Sequence, residues 1–434
     1  MHRQIFEDYK NFVIENPEIC KKDLFEITRK LQQSNAKYKG KIINFRYQPM
    51  FFSSQDLQQF KSICKTMMSI IQKCTEEYLM NPDFRKYFSF SREMEELILS
   101  DSGYKTAAPV ARFDIFFDED FKFCELNGDG TSAMNEANTL EKIFLESKII
   151  TKLKTKYKIE YHELFISWLD QLLQIYQEFG GKQKPNIAIA DFLGLGSVEE
   201  FDIFKQVFEE NGFTTVICDP REMKYKNGKL YYRQTRIDLV YRRAVNQEME
   251  RRLPEVTDFI KAYKDKAVCV VGPFRSQIMH NKIFFSILTD PAKTAFLNEE
   301  EHNFIDKHIP KTWRINDAPQ QEILSRKDCY LIKPKDLYGG RDVVCGLDCT
   351  HKQWIKLLTD SENNDEFLVQ EFCNFTKQEI PDLEKDKFVF KPYKTTLGLF
   401  CYNGKFSGLY SRISKKNVIA GVINSITLPS FAVE

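Results

Sequence analysis

Long apolar runs are missing from this chain of 434 residues. The longest, such as Ile283 to Leu288, are the size of core segments, whereas a membrane-spanning helix needs about 20 apolar residues. Excess charge of either sign is missing too, since 63 Lys and Arg stand against 62 Asp and Glu for a formal net charge of +1. That balance excludes a general affinity for nucleic acid or for a membrane surface. No C-x-x-C pair occurs among the 11 cysteines, and their number is odd. Scattered thiols of this kind point to reduced cysteines rather than a disulfide framework. The first residues, M-H-R-Q-I-F-E-D-Y-K, carry acids and no apolar stretch. They do not read as a secretory signal, and a cytoplasmic location is expected. Internal repeats and low-complexity segments are absent as well. Cys345, Cys349 and His351 lie close in sequence, but without an evident fourth ligand they read as a strand end leading into a helix.

What is present is ordinary globular material, 42% hydrophobic and 29% charged with 37 Phe. This length and composition suffice for two to four domains and a substantial core. Residues 1–105 read as mostly helical, with Leu57, Phe60, Ile63, Met67, Ile71, Cys74 and Tyr78 at helical spacing. Past the hairpin described next, helices are predicted up to about Ser147, capped by Thr131 or Ser132, and from Phe165 to Phe179. From 185 onward strands and helices alternate. Strands are expected over 186–191, 213–218, 237–241 and 267–271, with a helix over 198–211 and a tight turn at Asn227-Gly228. Gly194-Leu195-Gly196 is only a fragment of a dinucleotide fingerprint and reads as a strand-to-helix turn. Pro310 marks a junction. Beyond it come the strand Tyr330 to Pro334, the glycine-rich Leu337-Tyr338-Gly339-Gly340-Arg341-Asp342, and strands over 343–346 and 367–372. An antiparallel pair then turns at Asn403-Gly404.

The stretch richest in chemistry is V-A-R-F-D-I-F-F-D-E-D-F-K-F-C-E-L-N-G-D-G-T, Val110 to Thr131. It reads as two alternating strands joined at Asp118-Glu119-Asp120. With a two-residue loop at Glu119-Asp120, Asp118 pairs with Phe121, Asp114 lies opposite Glu125, and Arg112 lies opposite Asn127. All four then share one face, while Phe113, Ile115, Phe117 and Leu126 cover the other. Two carboxylates facing each other repel. A hard cation between them resolves the repulsion, and two carboxylates with an amide oxygen suit Mg²⁺. A three-residue loop would instead put Arg112 and Glu125 on opposite faces. An edge hairpin with a solvated polar face is the alternative reading.

Lys333 on a buried strand, followed by Gly339-Gly340, is a way to hold nucleotide phosphates. The lysine supplies a fixed charge, and the glycines let backbone N–H groups close over an anion. Gln370-Glu371 could offer backbone groups and a carboxylate to an adenine and a ribose. Arg242-Arg243 ends a predicted parallel strand, where ligands of open α/β sheets gather, and either could anchor an anionic substrate group or simply start a loop.

Together these pieces resemble the ATP-grasp ligases, in particular the circularly permuted branch typified by glutathionylspermidine synthase and trypanothione synthetase. The resemblance covers roughly residues 105–434. Arg112 and Asp114 match the family's R-x-D strand, and Glu125 and Asn127 its E-x-N strand. Lys333 matches the nucleotide lysine, Gly339-Gly340 the phosphate-covering loop and Gln370-Glu371 the adenine-side segment. Lys282, closing G-P-F-R-S-Q-I-M-H-N-K, is assigned to the nucleotide as well, and Arg412 matches a late arginine that contacts the transferring phosphate. The E-x-N motif precedes the lysine by some two hundred residues, the order a permutation predicts.

The resemblance implies a mixed α+β and α/β fold in four parts. These are a helical N-terminal region (1–105), a metal-binding hairpin with helices (106–184), a pre-ATP-grasp-like α/β domain (185–310) and the ATP-binding part (311–434). It implies an ATP- and Mg²⁺-dependent ligase joining a small-molecule or peptide carboxylate to an amine through an acyl phosphate. Asp114, Glu125 and Asn127 would hold metal, and Arg112 and Arg412 would serve the transferred group. A phosphotransferase, or a nucleotide-binding protein without turnover, are the alternatives. Two departures bear on the substrates. The first 105 residues lack a Cys/His pair for an amidase domain, and Asn-Gly-Asp-Gly-Thr replaces the usual Asn-x-Asp-Thr-Pro, so spermidine and glutathione are not assumed.

Overall fold

The structure is a computed structural model describing residues 3–118, 120–337, 339–362, 366–373, 377–419 and 425–434. Glu119 of the expected loop and Tyr338 of the expected glycine loop lie outside the described residues. The architecture is mixed, with α-helices set among several separate sheets. No helix among the described residues is long and apolar enough to cross a membrane.

The central element is a six-stranded antiparallel sheet. Its strands run in the order Ile426–Leu428, Lys405–Ser414, Lys387–Tyr402, Val110–Phe117 and Phe121–Asn127, with Lys377–Glu384 also paired to the long third strand. The hairpin that opens this sheet therefore adds directly to strands from the far end of the chain. Its apolar face, carrying Phe113, Ile115, Phe117, Phe123 and Leu126, packs into the largest core together with the helix Ser54–Met80. That helix begins in a capping box, where the Ser53 side chain and Asp56 each satisfy the other's backbone N–H.

A second sheet is parallel and runs in the order Cys269–Val271, Leu239–Arg242, Ile187–Ala190, Thr215–Cys218. Successive side chains alternate between two cores. Ala188, Ala190, Val240 and Val270 join the large core, and Ile187, Ile189, Leu239, Tyr241 and Val271 face Trp168 and Phe204 on the other side. A third, antiparallel sheet has the order Thr312–Arg314, Phe367–Glu371, Tyr330–Pro334, Val344–Cys345. Its small core gathers Ile323, Ile332, Trp354 and Val369. Finally Ser430–Val433 pairs in parallel with Met50–Ser53 and antiparallel with Ile159–Glu160.

Three expectations need correction. Phe117, not Asp118, pairs with Phe121, so Asp118 and Asp120 lie outside the paired residues. The register nevertheless shifts between Asp114 and Ile115, where Ile115 pairs with Phe123 and Asp114 with Glu125. Cys124 is thus the extra residue of a β-bulge, and the bulge cancels the longer loop. Helix Met134–Leu145 is capped by neither Thr131 nor Ser132. Its N-cap is Ala133 at φ 81°, and Thr131 Oγ1 donates to Asn127 O at 3.1 Å instead. The strand expected over 237–241 is broken at Asp238, with Thr235–Ile237 joining an antiparallel sheet and Leu239–Arg242 the parallel one. Asp238 makes the break by accepting the Asn186 N–H at 3.1 Å and pairing with Arg236 at 2.8 Å.

Candidate functional site

A cavity of about 390 Å³ opens where the three large sheets meet. Its floor is the polar face of the hairpin, with Arg112 paired to Asn127 and Asp114 to Glu125. Arg112 donates to Asp114 from Nε at 2.7 Å and from Nη2 at 3.1 Å, and to Ser132 O at 2.8 Å. From two strands away, Arg412 Nη2 donates to Asp114 Oδ2 at 2.6 Å. Gly398 lies between them in the sheet, paired with Asp114 on one side and Tyr410 on the other. A Cβ there would stand 2.7 Å from Arg112 Cδ, so only glycine lets the arginine lie across the strand.

Asp114 is 1% exposed and does not line the cavity. Burial pushes its carboxyl up, but the charges and hydrogen bonds of Arg112 and Arg412 win and bring it down to about 2. The repulsion expected between Asp114 and Glu125 is therefore relieved by two guanidinium groups, with no cation required for it. Glu125 and Asn127 do line the cavity, and Lys282 Nζ stands 3.9 Å from Glu125 Oε2. Among the described residues no three His, Cys, Asp or Glu side chains group as a metal centre.

The opposite wall comes from the third sheet. Lys333 Nζ donates to Gln370 Oε1 at 2.8 Å and reaches Cys124 O at 3.5 Å. The bulge thus turns a carbonyl toward the lysine. Burial, with the nearby charge of Lys282, lowers the Lys333 ammonium to about 8. Gln370 Nε2 is in turn held by Thr312 Oγ1 at 2.8 Å. Lys282 Nζ donates to Leu337 O at 2.6 Å. Gly339 and Gly340, both at positive φ (71° and 69°), line the cavity together with Glu371, Leu331, Val343 and Phe372.

The remaining wall is the carboxyl end of the parallel sheet, where Asp191, Gly196, Ser197 and Arg243 line the cavity. Arg243 donates to Thr131 O, to Tyr241 Oη at 2.8 Å and to Glu200 Oε1 at 2.8 Å. Arg242 points elsewhere. Its guanidinium bonds Gly272 O and Ala244 O, pairs with Asp129 at 3.1 Å, and does not line the cavity.

Of the residues picked out from sequence, Arg112, Glu125, Asn127, Arg243, Lys282, Lys333, Gly339, Gly340, Gln370, Glu371 and Arg412 therefore line one cavity, and Asp114 and Arg242 do not. Several lining residues were not anticipated. Tyr410 donates to Glu136 Oε2 at 2.5 Å, and its ring sits 5.3 Å from the Arg112 guanidinium and 5.0 Å from that of Arg412. Burial holds the Glu136 carboxyl above its ordinary range. Period two from Arg412 could have found Tyr410, since both face the same way on one strand. No sequence signal marks Glu136, Thr396 or Asp191.

No protein-family model matches this sequence, and no curated protein matches it. Among solved structures, the chain is similar to a glutathione synthetase-like effector from Globodera pallida in its apo form. The TM-score is 0.64 at 13% identity, over 96% of this chain and 98% of that one. At that identity the likeness is one of fold alone. D-cycloserine synthetase is matched more loosely, with a TM-score of 0.29 and 9% identity over 57% of this chain and 91% of that one. So loose a match carries no argument.

Proposed function

We propose that this protein is an ATP-dependent carboxylate–amine ligase of the ATP-grasp type, working through an acyl phosphate. The observation that supports it most is the convergence on one cavity of Arg112, Arg412 and Glu125 from the central sheet, Lys333 and the Gly339-Gly340 turn from the third sheet, and Lys282 from a helix N-cap. Such a constellation suits phosphoryl transfer, which needs positioning and charge rather than covalent help from the protein. In this reading the chain order, with E-x-N ahead of the lysine, is a permuted one.

Lys333 and Lys282 hold the nucleotide phosphates, and the glycine turn supplies backbone N–H groups above them. Gln370, Glu371 and the apolar residues Leu331, Val343 and Phe372 form a slot that suits a planar base. Arg112 and Arg412 meet the charge that grows on the transferred group. Asp114 fixes both guanidinium groups rather than binding a ligand itself.

Mg²⁺ fits this site in a limited way. Glu125 and Asn127 bring a carboxylate and an amide to the cavity, and Mg²⁺ ordinarily keeps waters and phosphate oxygens as its other ligands. When bound, it would neutralise phosphate charge. The acid and amine are sought by screening carboxylates and amines for ADP release. ADP appearing only when both are present supports a ligase, and ADP with a stable phosphorylated product supports a phosphotransferase instead.

A further inference from the structure

The cavity floor carries two donors with nothing to donate to. Thr396 pairs directly across the sheet with Arg412, and both line the cavity. They are 2% and 3% exposed. Among the described residues, neither Thr396 Oγ1 nor Arg412 Nε has a hydrogen-bond partner. Buried polar atoms are nearly always paired. Arg243 Nε and His280 Nδ1 also line the cavity without a partner, but Thr396 and Arg412 are paired directly across the sheet, and two adjoining exceptions point to one missing acceptor. Thr396 cannot be dismissed as a residue facing core, because strand alternation places Leu397 and Leu399 in the large core and leaves Thr396 and Gly398 on the cavity side.

The local charge says what kind of acceptor. Arg112 and Arg412 share the single carboxylate of Asp114, so one positive charge is left over. Of the further acids, Glu125 faces Lys282 at 3.9 Å, and Glu136 accepts from Tyr410 and is held toward its neutral form by burial. An acceptor with lone pairs in several directions can meet both a hydroxyl on one strand and a guanidinium edge on the next. A tetrahedral oxyanion has that shape, whereas a planar carboxylate presents its lone pairs in one plane.

We infer that Thr396 Oγ1 and Arg412 Nε form a seat for a tetrahedral oxyanion, with Thr396 as a positioning residue that acts beside Arg412. Resting on the ligase reading, the anion is the phosphoryl group in transfer. The seat itself does not depend on that reading, because a free anion occupies it without turnover.

Inorganic phosphate, sulfate and acetate are titrated by calorimetry into the full chain without nucleotide, for the wild type and for Thr396→Val and Thr396→Ser. Valine keeps the shape and removes the hydroxyl, and serine restores it; thermal unfolding checks that each variant is folded. Phosphate and sulfate are expected to bind, acetate to bind far more weakly, Thr396→Val to lose about tenfold in phosphate affinity, and Thr396→Ser to regain it. Phosphate affinity that is the same in Thr396→Val and wild type overturns the seat, as does acetate binding equal to phosphate. Once substrates are known, Thr396→Val is expected to lower kcat with KM for the acid unchanged. If anion binding behaves as expected while no acid and amine together release ADP, the seat stands and the ligase reading falls.

Discussion

Arg412 and Asp114 meet at 2.6 Å across an intervening strand, joining the outer part of the central sheet to the hairpin that opens it. With Arg112 on the other side, Asp114 is the buried anion that lets two cations sit together. Asp114→Asn is therefore expected to destabilise the fold by about 3–5 kcal/mol, because it leaves two guanidinium groups short of a counter-charge. It should also lower turnover by misplacing both arginines. Chemical denaturation measures the first effect. A variant as stable as wild type would refute the counter-charge role.

The same carboxyl has a pH signature. Its folded value, about 2, lies below the ordinary 3.8, so the stability it confers is complete above pH 4. That stability is lost as the pH falls from about 4 toward 2, as the unfolded form takes up the proton first. Unfolding midpoints taken between pH 5 and pH 2 should fall more steeply for wild type than for Asp114→Asn.

Lys333 should make nucleotide binding pH-dependent near neutrality. Burial leaves its ammonium at about 8, and only the protonated form attracts phosphate strongly. Affinity for ATP is expected to be flat below pH 7.5 and to fall toward tenfold per pH unit above 8. Lys333→Met should bind ATP weakly and without this dependence. Titrations at several pH values test both statements.

Gly398 separates Asp114 from Tyr410, and a methyl group there would meet the Arg112 side chain at 2.7 Å. Gly398→Ala is expected to displace that arginine and cut kcat by about 100-fold, the scale seen when one positioned donor is lost. Nucleotide affinity, which rests on Lys333 in another sheet, should change little. Equal losses in both would mean that the substitution disturbs the sheet as a whole.

Glu125→Gln tests the metal separately from the arginines. Removing the only negative charge of the Glu125 and Asn127 pair should raise the Mg²⁺ needed for half-maximal turnover by about tenfold or more. Hydroxylamine supplied in place of the amine should trap an acyl phosphate as a hydroxamate alongside ADP. Lack of hydroxamate, together with a stable phosphorylated acceptor, would replace the ligase by a phosphotransferase.

Much of the site was legible because side chains alternate along the paired parts of the hairpin. Arg112, Asp114, Glu125 and Asn127 share a face in the sequence reading and in the fold. The agreement came through two compensating differences, a longer loop and a bulge at Cys124, neither of which leaves a mark in composition. Asp114 illustrates the limit. Period two places it opposite Glu125, but its partner Arg412 is 298 positions away, and only the sheet order brings them together. Arg242 and Arg243 are adjacent in sequence and diverge for the same alternation: one turns to the Gly272 carbonyl, the other to Glu200 and the cavity. The strands Lys377–Glu384 and Ser430–Val433 were not anticipated, since short or charged strands gain their stability from neighbours rather than from pattern.

The strand Ser430–Val433 has a consequence for how the molecule is made. Met50–Ser53 finds its neighbour only when residues beyond 429 are available, and Ile159–Glu160 waits for the same segment. During synthesis the early strand must therefore stay unmatched while the intervening chain emerges. Closing so long a loop is slow, and an open strand edge is prone to pairing with the wrong chain in the meantime. Residues 430–433 act as a latch on residues 50–53. Loss of that one strand would thus be felt first near Phe51, its partner some 380 positions earlier in the chain.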